Sequence, residues 1–171
     1  LFRSEIRKAV TSFLNQRTNS WPSWAFSNHD VVRVASRWHN DKRGYHHDPR
    51  FSKMLIVLLC SLYGTIFLYQ GEELGLPEVA IPYGKIQDPW GRFLYPKWQG
   101  RDGCRTPMPW SLGKKNAGFS EAEPWLPLST EHQMLAVNRQ EDNDESTLNM
   151  ARRFLQWRKE HPALVTGSIE F

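Results

Sequence analysis

Three stretches of the chain carry apolar residues at alternating three- and four-residue steps, which is the spacing of one face of an α-helix. The first stretch covers residues 1–14. The second covers residues 49–63 and begins with a proline, which is favoured in a first helical turn. The third begins near Leu148 and is expected to end at residue 160 or 161, because Pro162 restricts the conformation of the residue before it. The pattern therefore predicts three amphipathic helices.

Two short runs have the composition of buried strands. Residues 24–26 form an aromatic and apolar run that ends at the polar residues 27–30. Residues 65–69 are β-branched and aromatic without alternation, which is typical of a strand buried on both faces of a parallel sheet. Because the order strand, helix, strand is the repeating unit of α/β proteins, we predict an α/β fold.

The other segments are less regular. Residues 71–127 are rich in Gly, Pro, Trp and charged side chains and show little periodicity, so we expect a long loop region. Its tryptophans indicate an ordered loop, in which such rings more often form the loop's own core than stack on a sugar ring. Residues 164–171 have the pattern of a first strand of a further segment.

Composition and charge argue against several classes of function. With 40% hydrophobic residues, the chain is too rich in core-forming side chains to be disordered. Its 22 Lys and Arg outnumber 18 Asp and Glu, but they alternate with the acids and form one short basic run, Lys114-Lys115, so we do not expect nucleic-acid binding. The longest apolar run, residues 54–63, is far shorter than the roughly 20 residues of a membrane-spanning helix, and no membrane span is expected.

The cysteines and the first residues bear on the origin of the chain. Cys60 and Cys104 provide neither a metal-ligand spacing nor a disulfide framework, which mildly favours a reducing compartment. The chain opens without Met and without the layout of a signal peptide. We therefore expect a processed form or a piece of a longer protein.

Candidate chemistry follows the first predicted strand, at Asn28-His29-Asp30. In parallel α/β proteins the loops after the strands form one working face, where an imidazole and a carboxylate can point at a ligand. The competing interpretation is a plain turn, because Asn and Asp hydrogen-bond to their own backbone. Spacing alone favours the turn.

A second candidate is residues 101–107, Arg-Asp-Gly-Cys-Arg-Thr-Pro, which we call the arginine loop. Arg101 and Arg105 offer rigid forks of donors suited to a carboxylate or to vicinal hydroxyls, and Gly103 permits a close backbone approach. Ion pairs of Arg101 and Asp102 within the loop explain the same residues equally well. Both interpretations stay open.

Two further polar clusters carry weaker signals. Glu72 and Glu73 follow the second predicted strand, and because consecutive side chains diverge, we expect solvent or backbone partners for at least one of them. His46-His47-Asp48 has basic neighbours and no clear third ligand. We therefore expect a solvated turn there rather than a metal site.

Several of these segments occur together, and in the same order, in one known family. They are Phe26-Ser27-Asn28-His29-Asp30, Arg33, Gly64-Thr65, Tyr69-Gln70-Gly71-Glu72-Glu73-Leu74-Gly75, residues 100–110, Asn116-Ala117-Gly118-Phe119 and Glu123-Pro124-Trp125. This set, spread over almost the whole chain, resembles the α-glucosidase branch of the α-amylase superfamily, glycoside hydrolase family 13. The Asp-Gly-Cys version of the arginine loop most resembles bacterial α-glucosidases.

The resemblance implies an α/β fold of the partial (β/α)8 TIM barrel type. Residues 24–28 would be the seventh strand of the barrel and residues 65–69 the eighth, each followed by its loop and helix. Residues 1–162 would form the C-terminal part of the catalytic barrel, and residues 163–171 the start of a C-terminal β-sandwich domain.

The resemblance also assigns roles to single residues. It implies that Asp30 is the third catalytic carboxylate, which hydrogen-bonds sugar hydroxyls and stabilises the transition state. His29 would be a neighbouring contact to a substrate hydroxyl, and Arg105 would help to fix the non-reducing-end glucose. Asn28 and Arg33 match motif positions and are given supporting roles.

The activity implied is that of a retaining, exo-acting α-glucosidase that removes α-linked glucose from the non-reducing end of maltose-type oligosaccharides or sucrose. No cofactor and no metal are expected, and the resemblance to bacterial enzymes implies a cytoplasmic location. Two alternatives stay open: a transglycosylase of the trehalose or isomaltulose synthase type, and a non-catalytic relative of the transporter heavy chains.

One departure from the family pattern is decisive for the isolated chain. A retaining glycosidase needs a nucleophile and a general acid/base, which in this family follow the fourth and fifth strands, and neither motif occurs here. A barrel of this type needs about 250 residues. We therefore expect the 171-residue chain to lack the N-terminal half of the barrel and to be inactive alone. Its expected partners are that missing half and an α-glucoside substrate.

Overall fold

The structure of the protein is a computed structural model that describes residues 2–16, 21–39, 47–167 and 169. Two strands and eight helices follow one another in these residues. In chain order they are α1 (Phe2–Gln16), β1 (Ser23–Ala25), α2 (Val34–Arg37), α3 (Pro49–Ser61), β2 (Thr65–Phe67), α4 (Pro89–Leu94), α5 (Thr130–Met134), α6 (Val137–Gln140), α7 (Thr147–Glu160) and α8 (Ala163–Thr166). Short 3-10 turns lie at Tyr83–Lys85, Asp102–Cys104 and Lys115–Gly118.

The two strands form a parallel pair in which Trp24 lies opposite Ile66. Helices α2 and α3 lie between them in sequence, so the predicted α/β arrangement is confirmed. Both strands are shorter than residues 24–28 and 65–69. The Ser27 hydroxyl accepts the Val34 N–H at 2.8 Å, and the Glu72 carboxylate accepts the Tyr69 N–H at 3.0 Å, so side-chain partners replace strand pairing beyond each strand.

The core lies between the strands and the helices that precede and join them. Its central cluster holds side chains from α1, α2, α3 and the strand ends: Val10, Phe26, Val34, Ala35, Leu55, Leu59 and Leu62. A second cluster joins α3 to α7 through Ile56, Cys60 and Ala151. A third, Leu74, Leu76 and Leu148, holds the segment after β2 against the start of α7. The apolar stripes of the three predicted helices therefore face buried clusters of the core.

Both ends of α3 are fixed by polar side chains. Asp48 accepts the N–H groups of Arg50 at 2.9 Å and Phe51 at 3.3 Å, and Pro49 occupies the first turn. Beyond the other end, the buried Arg158 of α7 donates to the carbonyls of Cys60, Leu62 and Gly64. These carbonyls have no partner within the helix, so Arg158 also fixes the turn that leads into β2.

The turn predicted at residues 46–48 is not fully solvated. His46 lies outside the described residues, and His47 is half-buried, with its pKa lowered by burial. Gly75 packs beside it so closely that an added Cβ would lie 3.1 Å from His47 Nε2. This close packing leaves the turn only partly open to solvent, so it is less solvated than the sequence pattern suggested.

The region between β2 and α5 is long and irregular, as predicted, but its core is aliphatic. Leu74, Leu76, Ile81, Ile86 and Leu126 are almost completely buried. The tryptophans are exposed by 40 to 67%: Trp90, Trp98, Trp110 and Trp125. The prediction that these rings form the loop's own core is therefore wrong, because the aliphatic side chains already fill the space beneath it.

The strand predicted from residue 164 is also wrong where the structure describes it. Residues Ala163–Thr166 form the helical turn α8, in which the Pro162 carbonyl accepts the N–H groups of Val165 and Thr166. Residues 168, 170 and 171 lie outside the described residues. Within the described ranges, no helix has the length and apolar character needed to cross a membrane.

Candidate functional site

Residues 27–34, which we call the Asp30 turn, lead from β1 into α2. Asn28 Oδ1 accepts the Asp30 N–H at 2.8 Å, which is the self-bonded geometry expected of Asn in a turn. The Ser27 hydroxyl closes the other end on the Val34 N–H. Although the turn bonds to itself, the side chains of His29 and Asp30 remain exposed. The turn therefore serves both interpretations, because it fixes the backbone and presents the two side chains to solvent.

The Asp30 carboxylate forms ion pairs with two guanidinium groups. Its Oδ1 lies 3.1 Å from Arg101 Nη1 and 3.0 Å from Arg105 Nη2. Its Oδ2 lies 3.4 Å from His29 Nε2. The side chain stays 51% exposed, whereas those of Arg101 and Arg105 are 29% and 22% exposed. The carboxylate is thus oriented from one side and open on the other.

Arg105 also forms a hydrogen bond with the backbone of the Asp30 turn. Its Nε donates to the His29 carbonyl at 2.7 Å, while Nη2 bonds the Asp30 carboxylate. One planar fork therefore fixes two consecutive residues of the turn through two separate nitrogens, whereas lysine would have to reach both from a single nitrogen.

Arg101 also binds the buried carboxylate of Asp88, through nitrogens other than the one that bonds Asp30. Arg101 Nε lies 2.8 Å from Asp88 Oδ2, Arg101 Nη2 lies 3.0 Å from Oδ1, and the Arg101 N–H donates to Oδ2 at 2.9 Å. These hydrogen bonds from Arg101 lower the pKa of Asp88 to about 2. The neighbouring Asp102 accepts the N–H groups of Gln87 and Asp88.

Arg101 therefore makes its ion pairs with two residues outside the arginine loop, Asp88 and Asp30. The ion pairs within the loop that the sequence left open are not found among the described residues, because Asp102 instead accepts the backbone N–H groups of Gln87 and Asp88. Sequence reasoning missed Asp88 and the pairing of Arg101 with Asp30. The available signal was Asp88-Pro89, a helix-start pattern that places the Asp88 carboxylate at a fixed position.

Arg33 lies beneath the turn rather than at the exposed face. Arg33 is 1% exposed. Its Nη1 donates to the Gln70 carbonyl at 2.7 Å, and its guanidinium lies 5.4 Å from the centroid of the Tyr69 ring. Burial lowers the pKa of Arg33, while the charges of nearby acidic groups oppose that effect. Arg33 thus joins the Asp30 turn to the end of β2.

The carboxylates that follow β2 bind backbone amides. Glu72 accepts the Tyr69 N–H, and Glu73 Oε2 accepts the Gly71 N–H at 2.9 Å. Burial raises the pKa of Glu72 to about 6 and also raises that of Glu73. The expectation of solvent or backbone partners for at least one of these residues is confirmed, because both accept backbone N–H groups. Neither of these hydrogen bonds joins the two carboxyl groups to each other.

The arginine loop is anchored to the rest of the fold by two neutral contacts. The Tyr69 hydroxyl donates to the Cys104 carbonyl at 3.0 Å. The fully buried His132 lies 2.8 Å from the Pro77 carbonyl through Nε2 and 3.3 Å from Thr106 Oγ1 through Nδ1. Because a carbonyl only accepts, Nε2 carries the proton and Nδ1 accepts from Thr106. Cys60 and Cys104 are both free and buried.

The side chains at this face are suited to bind a ligand rich in hydroxyl groups. A half-exposed carboxylate accepts O–H groups, and the flanking guanidiniums donate to oxygen. In the described part of the chain, Asp30 forms ion pairs with Arg101 and Arg105, and His29 Nε2 lies beside its Oδ2. Over the same residues, no group of three or more His, Cys, Asp and Glu side chains is arranged to hold a metal ion.

Comparison with known proteins decides the family. The sequence matches the family described as Alpha amylase, catalytic domain, over residues 2–167. The chain belongs to the alpha-amylase family. The resemblance found in the motifs is therefore confirmed.

The relatives of this alpha-amylase family chain include glucosidases. It is 47% identical over 166 residues to a probable alpha-glucosidase of Rhizobium meliloti (strain 1021), a match that covers 97% of this chain and 29% of that protein. It is 28% identical over 188 residues to an oligo-1,6-glucosidase of Parageobacillus thermoglucosidasius, covering 98% of this chain and 32% of that protein.

Solved structures of the alpha-amylase family carry the same fold. The alpha-glucosyl transfer enzyme XgtA matches with a TM-score of 0.91 at 48% identity, over 98% of this chain and 30% of that one. The trehalose-6-phosphate hydrolase TreA of Bacillus licheniformis matches with a TM-score of 0.76 at 26% identity, over 85% of this chain and 29% of that one. The chain thus spans about 30% of the length of these relatives and has the fold of part of the family's TIM barrel.

Proposed function

We propose that this chain is the C-terminal part of the catalytic barrel of a retaining, exo-acting α-glucosidase. In this proposal residues 1–162 contribute the seventh and eighth strands with their loops, and residues 163–171, which open with the helical turn α8, lead into a C-terminal β-sandwich domain. The observation that carries the proposal is the exposed Asp30 carboxylate held by Arg101 and Arg105 at the carboxyl ends of two parallel strands. The identity of 47% to a probable alpha-glucosidase supports it.

Asp30 binds the sugar ring whose glycosidic bond is broken. Its open side accepts hydrogen bonds from ring hydroxyls, and these strengthen as positive charge develops on the sugar in the transition state. The two guanidiniums fix the direction of the carboxylate before substrate binds, so less reorganisation is needed during the reaction. Asp30 is therefore the transition-state stabiliser rather than the nucleophile.

The neighbouring residues bind and support. His29 is exposed beside Asp30 and contacts a substrate hydroxyl, while Arg105 helps to fix the glucose at the non-reducing end. Asn28 supports the turn through its bond to the Asp30 N–H, and Arg33 supports it from below. These roles require no metal and no cofactor.

The remaining chemistry comes from outside this chain. Retention requires a nucleophile and a general acid/base whose carboxyl groups lie about 5 Å apart, and we assign both to the N-terminal half of the barrel. The isolated 171-residue chain is accordingly expected to cleave no α-glucoside. The substrates proposed for the complete enzyme are maltose-type oligosaccharides and sucrose, in the cytoplasm of a bacterium.

Product analysis of the complete enzyme tests this function. With maltose, sucrose and an aryl α-glucoside, we expect release of glucose from the non-reducing end, with the α-anomer appearing first in NMR spectra. Initial release of the β-anomer, or no cleavage of any of the three, would exclude a retaining α-glucosidase.

A transglycosylase of the same family is the second candidate. It is favoured by the TM-score of 0.91 and the 48% identity to a protein described as an alpha-glucosyl transfer enzyme. Asp30 and Arg105 serve both reactions, because transfer and hydrolysis share the first transition state and differ in the acceptor. With maltose, about two free glucoses per maltose consumed would select hydrolysis. Transfer to a second maltose frees one glucose for every two maltoses consumed, so about half a glucose per maltose or less, with glucosylated product making up the balance, would select transfer.

A further inference from the structure

The two halves of the candidate site come from distant parts of the sequence. Asp30 and Arg101 are 71 positions apart, and their contact is made at the exposed edge of the protein. Exposed ion pairs are weak in water because solvent screens them. A buried structure beneath the site is therefore needed to hold the Asp30 turn and the arginine loop together.

Residues 77–79, which we call the bridging segment, lie in that position. Glu78 Oε2 accepts the backbone N–H of Arg33 at 2.8 Å, and the Glu78 N–H donates to the Ser36 hydroxyl at 2.8 Å. These two bonds attach the segment to the end of the Asp30 turn and to α2.

The same segment contacts the arginine loop at Gly103. A Cβ added at Gly103 would lie 2.4 Å from Glu78 Oε1 and 2.3 Å from the Val79 carbonyl. The Val79 N–H also donates to the Gly103 carbonyl at 3.4 Å. On its other side, Pro77 reaches the loop through His132. Glycine is thus required at position 103 because the loop lies directly against the Glu78 carboxylate.

The Glu78 carboxylate is buried beside a groove and has few charged neighbours. The residue is 7% exposed, and it lines a groove of about 250 Å³ between the bridging segment and residues 96–100. Burial raises the pKa of Glu78 to about 7, opposed by the Arg33 N–H and the Arg33 charge. The other titratable groups around it are the Cys104 thiol on the arginine loop and Lys97 on the groove wall.

We propose that Glu78 is a positioning residue of the site, which sets the separation of Asp30 from Arg101 and Arg105 by binding the Asp30 turn and packing against Gly103. It acts through these residues and does not touch substrate. The inference rests on the proposed function only for its kinetic readout. Nothing in the role of Glu78 depends on which α-glucoside is cleaved.

Two variants of the complete enzyme test the proposal. Glu78→Ala leaves the Arg33 N–H without its partner and lowers kcat/KM for an aryl α-glucoside by about 100-fold, the scale of a misplacement of about 1 Å. Glu78→Gln keeps the shape and an accepting oxygen but cannot ionise. Its kcat/KM equals that of the wild type at pH 6, where Glu78 is protonated, and falls below it above pH 7.5, where the wild-type carboxylate binds the N–H more strongly.

Glu73→Gln is the matched control. Glu73 is also a carboxylate after β2 with a raised pKa, and it accepts backbone N–H groups of Gly71 and of its own residue. Within the described residues, its hydrogen bonds involve neither the Asp30 turn nor the arginine loop. Its pH profile should follow the wild type. The proposal is overturned when Glu78→Gln and Glu73→Gln give the same ratio to wild type at every pH, or when Glu78→Ala keeps wild-type kcat/KM.

Crystal structures of the Glu78 variants separate this proposal from the proposed function. We expect the distance from Asp30 Oδ1 to Arg105 Nη2 to lengthen in Glu78→Ala, whether or not the wild type cleaves α-glucosides. An unchanged distance overturns the positioning role. If the wild type shows no glucosidase activity while the distance lengthens, the proposed function fails and the role of Glu78 stands. If Glu78→Ala does not fold, the pH profile of Glu78→Gln decides.

Discussion

Arg105 Nη2 lies 3.0 Å from Asp30 Oδ1, and Nε of the same guanidinium donates to the His29 carbonyl at 2.7 Å. Replacing Arg105 with Lys keeps the charge and removes the fork. We expect KM of the complete enzyme for maltose to rise by about 10- to 100-fold, which corresponds to the loss of one or two charged hydrogen bonds. Initial-rate kinetics measure the effect.

The control for Arg105→Lys is Arg152→Lys. Arg152 also forms an ion pair, with Glu141, but both side chains are about half exposed and lie on α7 and at the end of α6. This variant should leave KM within about twofold of wild type, since exposed pairs contribute little. Equal effects of the two substitutions would mean that the fork of Arg105 has no special role.

A second prediction concerns the buried anchor of Arg101. Asp88→Asn removes the charge that holds the guanidinium at Nε and Nη2. Arg101 then orients Asp30 less well, and we expect kcat/KM to fall by about 10- to 100-fold, the scale produced by misplacing a group at the site. Steady-state kinetics at pH 7 measure the loss. The exposed Asp142→Asn provides the control and should behave as wild type.

Asp88 also predicts a response to acid. Its pKa is lowered in the folded protein to about 2 from an ordinary 3.8. The stabilisation from its ionised form is therefore fully present above about pH 4 and is lost as pH falls through about 2. Thermal unfolding between pH 5 and 2 should show a smaller loss for Asp88→Asn than for wild type. An identical slope for both proteins would contradict the pairing with Arg101.

How much of this arrangement the sequence predicts depends on the range of the contacts. Helical periodicity is local, so helices α1, α3 and α7 were predicted to within a few residues, and the buried run at residues 65–69 indicated the parallel strand. The place of His29 and Asp30 after β1 allowed exposed side chains as one of two interpretations, and both side chains are exposed.

Contacts that depend on how loops fold back were not predictable in this way. Asp88 pairs with Arg101 and Glu78 with Arg33 across 13 and 45 positions, and no periodic pattern links them. The tryptophans were placed inside the loop because large rings usually become buried, yet the aliphatic side chains of the same region occupy that space. At residues 163–166, apolar composition indicated a strand, but the carbonyl of Pro162 begins a helical turn.

A fourth prediction follows from the buried imidazole of His132. Burial lowers its pKa to about 4 from an ordinary 6.5, and the charge of Arg33 adds to that effect, while the bond to the Pro77 carbonyl opposes it. The stabilisation is therefore complete above about pH 6.5 and is lost as pH falls towards 4. In the complete protein we expect the melting temperature to fall over this range, and hydrogen exchange at the arginine loop to increase.

His132→Gln separates this effect from other acid-sensitive groups. Gln offers a donor to Pro77 and an acceptor to Thr106 but does not titrate between pH 6.5 and 4. Its melting temperature should be lower than that of wild type at pH 7, with a shallower decline towards pH 4. A decline as steep as in wild type would show that His132 does not carry the acid sensitivity.

The most direct test of the whole account is the kinetics of Asp30→Asn in the complete enzyme. Asn keeps the size of the side chain and one accepting oxygen, but it cannot supply the negative charge that faces the developing positive charge of the sugar. We predict that kcat for an aryl α-glucoside falls by about 100- to 1000-fold, as when one electrostatic stabiliser of a transition state is removed, while the melting temperature stays within a few degrees of wild type. A folded Asp30→Asn enzyme with near-wild-type kcat would contradict the role assigned to this site.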